Sequence, residues 1–89
     1  MKIKEFKGLG VFRGLMFRKI DPNILYVFNF AKPGKYPIHT FFVKDTIDVA
    51  WFDKSGIIDI KTVKPWKPYV THKGKALGFC ECKSGNLIF

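Results

Sequence analysis

Eighty-nine residues, 47% hydrophobic and 17% aromatic with ten Phe, suffice for a single domain (1–89) with one modest core, and this composition excludes a disordered chain. The formal net charge is +9, from 16 Lys plus Arg against 7 Asp plus Glu, which favours anionic partners without naming one; solubility or heat adaptation is the plain alternative. No apolar run approaches the roughly 18 residues that would cross a bilayer, and "MKIKEFKGLG" lacks the apolar segment of a secretory signal, so a cytoplasmic protein with no membrane partner is expected.

Turn residues punctuate the chain at short intervals, with no linker or repeat dividing it. "VFRGLMFRKI", residues 11–20, is the one segment with a helical option, limited to about a turn because Gly14 sits in its middle. In "ILYVFNF", residues 24–30, Ile24, Tyr26, Phe28 and Phe30 fall on one side and Leu25, Val27 and Asn29 on the other. Both sides are largely apolar, which predicts a central strand.

"HTFFVKDTIDVAWFD", residues 39–53, divides into two strand pieces, 41–43 and 47–52, with Lys44-Asp45-Thr46 at a bend or bulge between them. The second piece and "IIDIKTV" form a hairpin around Asp53-Lys54-Ser55-Gly56, where Gly56 is free to close the turn. "ALGFCECK", residues 76–83, sets Leu77, Phe79 and Glu81 against Ala76, Gly78, Cys80 and Cys82. Six or seven short strands with little helix predict a mainly β fold, an antiparallel barrel-like or sandwich domain with at most one short helical turn.

Three groups of residues could carry chemistry. In "KTVKPWKPYVTHKGK", residues 61–75, five lysines interleave with Trp66, Tyr69 and His72, and no carboxylate falls between Asp59 and Glu81. Lysines neutralise phosphates and aromatic faces stack on bases, so Lys64, Trp66, Lys67 and Tyr69 are candidate nucleic-acid ligands. The plain alternative is a solvated loop that Pro65 and Pro68 hold extended and Trp66 anchors to the core.

In "FRGLMFRK", residues 12–19, Arg13 and Arg18 could clamp an anion, whereas Leu15, Met16 and Phe17 more simply pack inside. His39, Lys44 and Asp48 form the third group, a potential acid–base pair with a cation beside it; structural hydrogen bonding is the competing role. No nucleophile elbow, paired carboxylates or metal-ligand set is recognisable, so no cofactor or metal is expected. Cys80 and Cys82, one residue apart, cannot readily bridge each other and read as reduced, buried thiols.

Taken in order, "RGLMFRK", "HTFFVK", "IDVAWFDKSGII", "VKPWKPY" and "KALGFCECKSGN" resemble the uncharacterised family called domain of unknown function 192, in its archaeal form. Gly14, Leu15, Met16 and Arg18 fit its first motif, His39, Phe41 and Phe42 its second, and Ile47, Asp48 and Val49 its Ile-Asp-Val element. Pro65 and Trp66 fit the fourth motif, and Glu81 and Gly85 the last. This chain departs at Asp45 and Thr46, where Phe-Pro is usual, and at Cys82, Lys83 and Ser84, where Leu-Pro-Ala is usual. The resemblance implies a compact, barrel-like, mostly β domain and no established activity. The leading expectation is thus noncatalytic binding of a nucleic acid or phosphate-bearing ligand. An enzyme for a small anionic substrate using His39 and Asp48, with Arg18 or Lys44 as clamp, and a protein-interaction module are the alternatives.

Overall fold

The alternation of residues 47–83 has a direct structural counterpart in the computed structural model, which describes residues 2–7, 21–38 and 44–85. Five strands are present among these: β1 (Lys2–Lys7), β2 (Ile24–Gly34), β3 (Ile47–Asp53), β4 (Gly56–Val63) and β5 (Ala76–Lys83). They form one sheet in the order β1-β2-β5-β3-β4, and no helix occurs among the described residues. The mainly β expectation holds. The sheet is mixed, however, because β1 runs parallel to β2, while β2–β5, β3–β5 and β3–β4 are antiparallel as expected. The helical option at 11–20 and the strand piece at 41–43 lie outside the described residues.

Local chemistry explains the best-defined hairpin. Asp53 Oδ1 accepts the Ser55 amide at 2.7 Å and the Ser55 hydroxyl at 2.6 Å, and Gly56 takes φ 123°, outside the range L side chains favour. The same hydrogen bonds hold the Asp53 carboxyl below its usual pKa. β2 runs past the predicted residue 30 to Gly34. Its ladder with β5 slips between Asn29 and Gly34, an irregularity that accommodates Pro33 within the strand.

Cross-strand partners share a face, so register shows where the core sits. Phe28, Phe79 and Trp51 lie opposite one another across β2, β5 and β3. Phe28 and Phe79 stack with ring centroids 4.8 Å apart, and Trp51 lies tilted against Phe79 at 6.3 Å. Ile47, Val49, Val63 and Tyr26 extend this buried cluster, and Phe30, Tyr36, Ile58 and Val70 pack against it. The reverse face of the sheet carries Cys80 and Cys82 beside Ala50 and Asp48. Both thiols are free and buried, as expected; burial pushes Cys80 up and Cys82 to about 11, so neither is a ready nucleophile.

Candidate functional site

The segment after β4 is held to the body of the protein at several points. Lys61 Nζ donates to the Thr71 carbonyl, Lys35 Nζ donates to the His72 carbonyl, and the Lys73 amide donates to Asp59 Oδ2 at 3.0 Å. Val70 and Ile38 exchange two backbone hydrogen bonds of 2.8 Å in an isolated antiparallel bridge. His72 is buried beneath this segment, where its ring stacks on Trp51 at 5.2 Å. Its Nε2 accepts the Tyr36 amide at 3.0 Å, so Nδ1 carries the proton and donates to the Lys73 carbonyl. The Trp51 indole in turn donates to the Tyr36 carbonyl at 2.9 Å. His72 therefore works as a structural tie, a role that its place among lysines in the sequence did not reveal.

Upon this tethered base, two large rings face solvent. Trp66 is 59% exposed and Tyr69 66% exposed. Val70 and His72 tie the loop to the body of the protein, while more than half of the Trp66 surface stays accessible. Lys64, Lys67, Lys73 and Lys75 are exposed along the same segment, whereas Lys61 is engaged by Thr71 and contributes less to a positive surface.

Asp48 sits on the opposite face of the sheet from the aromatic row. Its Oδ1 accepts the Thr62 hydroxyl at 2.7 Å and lies 3.5 Å from the Ser84 hydroxyl, and its Oδ2 accepts the Gly85 amide at 2.9 Å. Lys44 is exposed at the bend before β3 and supplies none of these hydrogen bonds. Asp45, at the same bend, encloses Oδ2 without a hydrogen-bond partner. Arg13, Arg18 and His39 lie outside the described residues. Of the predicted site residues, Lys64, Trp66, Lys67 and Tyr69 are exposed along the segment that follows β4.

Glu81, which belongs to none of the three candidate groups, is a buried ionisable residue. It occupies the middle of the central strand β5, between Tyr26 and Val49, and is 6% exposed. No described group donates a hydrogen bond to it, and desolvation pushes its carboxyl up to about 8. Its signal in the sequence was its phase, which places it on the same side of β5 as Leu77 and Phe79. An open cleft of about 370 Å³ is lined by Pro33, Asp53, Lys54, Ser55 and Leu77, none of them a predicted site residue. Among the described residues no cluster of His, Cys, Asp and Glu could hold a metal ion, and no helix is long and apolar enough to cross a membrane.

No protein-family model matches the chain. In three dimensions it is similar to a protein from Sinorhizobium meliloti described as a candidate transcription regulator, with TM-score 0.82 and 15% identity over 94% of this chain and 69% of that one. A protein of unknown function from Novosphingobium aromaticivorans gives TM-score 0.81, also at 15% identity, over 93% of this chain and 63% of that one. At this identity the likeness speaks for the fold. In sequence, the chain is 38% identical to a UPF0127 protein of Thermococcus sibiricus over 68 residues, covering 71% of this chain and 42% of the relative. It is 38% identical to one of Thermococcus kodakarensis over 72 residues, covering 80% and 43%, and 33% identical to one of Pyrococcus horikoshii over 58 residues, covering 64% and 50%. The chain spans about half the length of these relatives. Its homologues are therefore archaeal UPF0127 proteins, an uncharacterised family.

Proposed function

We propose that this chain is a noncatalytic domain that binds an anionic ligand or partner, a nucleic acid or other phosphate-bearing molecule, through residues 64–75. The observation that carries the reading is the loop itself: tethered at Val70, Thr71, His72 and Lys73, it exposes Trp66 and Tyr69 among lysines. A segment held in place before binding loses less conformational freedom when a ligand arrives, which favours recognition over mere solubility. On this reading the chain is one cytoplasmic domain, and the UPF0127 relatives and the domain of unknown function 192 are the same family.

The enzyme reading has less support, because the Asp48 carboxylate is engaged by Thr62 and Gly85. Titration of labelled RNA, single-stranded DNA and nucleotides at several salt concentrations tests the proposal. Binding that weakens with a linear log–log salt slope is expected, since phosphate contacts release counterions; no binding at low salt refutes it.

A further inference from the structure

Pro65 and Trp66 occupy the two central positions of a turn that follows β4. Trp66 has φ 65°, and among the described residues it is the one non-glycine with positive φ. Proline followed by positive φ is the pattern of a type II turn, whose third position is normally glycine because a side chain there crowds its own backbone. A bulky aromatic residue in this conformation is a genuine outlier. Strain of this kind persists when surrounding structure imposes it, and it concentrates at ligand-contacting sites. Here the indole at this turn is 59% exposed.

Three residues on, Tyr69 is 66% exposed and directly precedes Val70, whose amide and carbonyl are both bonded to Ile38. Its backbone is therefore fixed on one side by a two-bond bridge. Lys64, Lys67 and Lys73 are exposed along the same segment as the two rings, and no carboxylate occurs from residue 60 to residue 80. A flat apolar ring beside cationic side chains matches a ligand with flat apolar rings beside phosphates. Duplex DNA hides its base faces in the stack, whereas an unpaired strand offers them.

We infer that Trp66 and Tyr69 form a stacking platform for the unpaired bases of a single-stranded nucleic acid, with Lys64, Lys67 and Lys73 on its phosphates. This rests on the anion-binding reading and adds base stacking to it. The turn keeps the Trp66 ring presented in the unbound protein, at the expense of the conformation that glycine would adopt more easily.

The test compares three probes on the full chain: a 12-nucleotide oligodeoxythymidine, an abasic strand of the same length, and inorganic polyphosphate. Each is titrated with tryptophan emission, the Trp66→Phe variant giving the Trp51 background, and with fluorescence anisotropy. The oligodeoxythymidine is expected to quench the exposed Trp66 and to bind at least about fivefold tighter than the abasic strand. Trp66→Ala and Tyr69→Ala each remove that preference while leaving polyphosphate binding within twofold, and Trp66→Phe restores part of it. Trp66→Gly is expected to melt at or above the wild-type temperature while losing the preference. Equal binding of abasic and base-bearing strands, with Trp66→Ala silent, overturns stacking and leaves anion binding standing. Binding of none of the three probes overturns both. A Trp66→Gly variant that melts well below wild type overturns the platform, because the indole would then be a structural member.

Discussion

Asp48 and Gly85 are joined by a 2.9 Å hydrogen bond in which the Gly85 amide donates to Asp48 Oδ2, so the turn after β5 is stapled to its neighbour β3. The staple is continued by the Ser84 amide on the Thr46 carbonyl at 3.0 Å and by the Thr62 hydroxyl on Asp48 Oδ1 at 2.7 Å. One carboxylate thereby links β3, β4 and the end of β5.

This arrangement predicts that Asp48→Ala lowers unfolding free energy by about 1–3 kcal/mol, since the hydrogen bonds from the Thr62 hydroxyl and the Gly85 amide are lost. Thr62→Ala removes one neutral donor and costs about 1 kcal/mol. Urea denaturation checks both values. Polyanion binding by the folded fraction is expected to stay unchanged, which separates Asp48 from the anion-binding segment.

Among the described glycines, Gly78 is the most closely surrounded. A Cβ built on it would lie 2.1 Å from the Phe28 carbonyl oxygen and 2.6 Å from the Phe52 ring. Gly78→Ala is therefore expected to cost at least about 3 kcal/mol or to prevent folding. Adding Phe52→Ala clears the ring and not the backbone oxygen, so the double variant is expected to remain destabilised in the same denaturation measurement.

Glu81 should leave a signature in the pH dependence of stability. Its folded pKa is raised by desolvation from the ordinary 4.5 to about 8, so the native state holds a proton that the unfolded chain releases. The stabilising contribution is full below about pH 4.5 and is lost as pH rises toward 8. The wild-type melting temperature is expected to fall across that window, and Glu81→Gln, which stays neutral, is expected to flatten the fall. Parallel melting curves for the two proteins from pH 5 to pH 8.5 would refute this.

Cys80 and Cys82 are buried, and desolvation raises the pKa of both thiols. Only a thiolate is reactive, so alkylation by iodoacetamide at pH 7.5 is expected to be at least about tenfold slower in the native protein than in urea. Mass spectrometry over a time course reads both states. Rapid modification of either cysteine without denaturant would contradict the structure.

The clearest features in the sequence are those set by neighbours along the chain. Strand β5 coincides with the alternating segment 76–83, and the β3–β4 hairpin falls where Ser55 and Gly56 called for a turn. These depend on period-2 patterning and turn chemistry, both local. The parallel pairing of β1 with β2 left no comparable signal, because "KIKEFK" is short, lysine-rich and a plausible loop by composition. For Trp66, composition left a stacking ligand and a core anchor both open, and its 59% exposure and positive φ are visible only in the fold. His72 looked like one more polar residue of a basic stretch until the fold set it against Trp51 and Tyr36.

By itself, then, the sequence determined a mainly β chain, the position of its central hairpin and last strand, and the face on which Glu81 falls. Tertiary structure decided the order β1-β2-β5-β3-β4, the burial of Asp48, His72 and Glu81, and the exposure of Trp66 and Tyr69. The physical reason is range. Turn chemistry and alternation act over two to four residues. Whether a polar group is buried and partnered depends instead on strands and loops brought together from far along the chain, as Gly85 is brought to Asp48 and Tyr36 to His72.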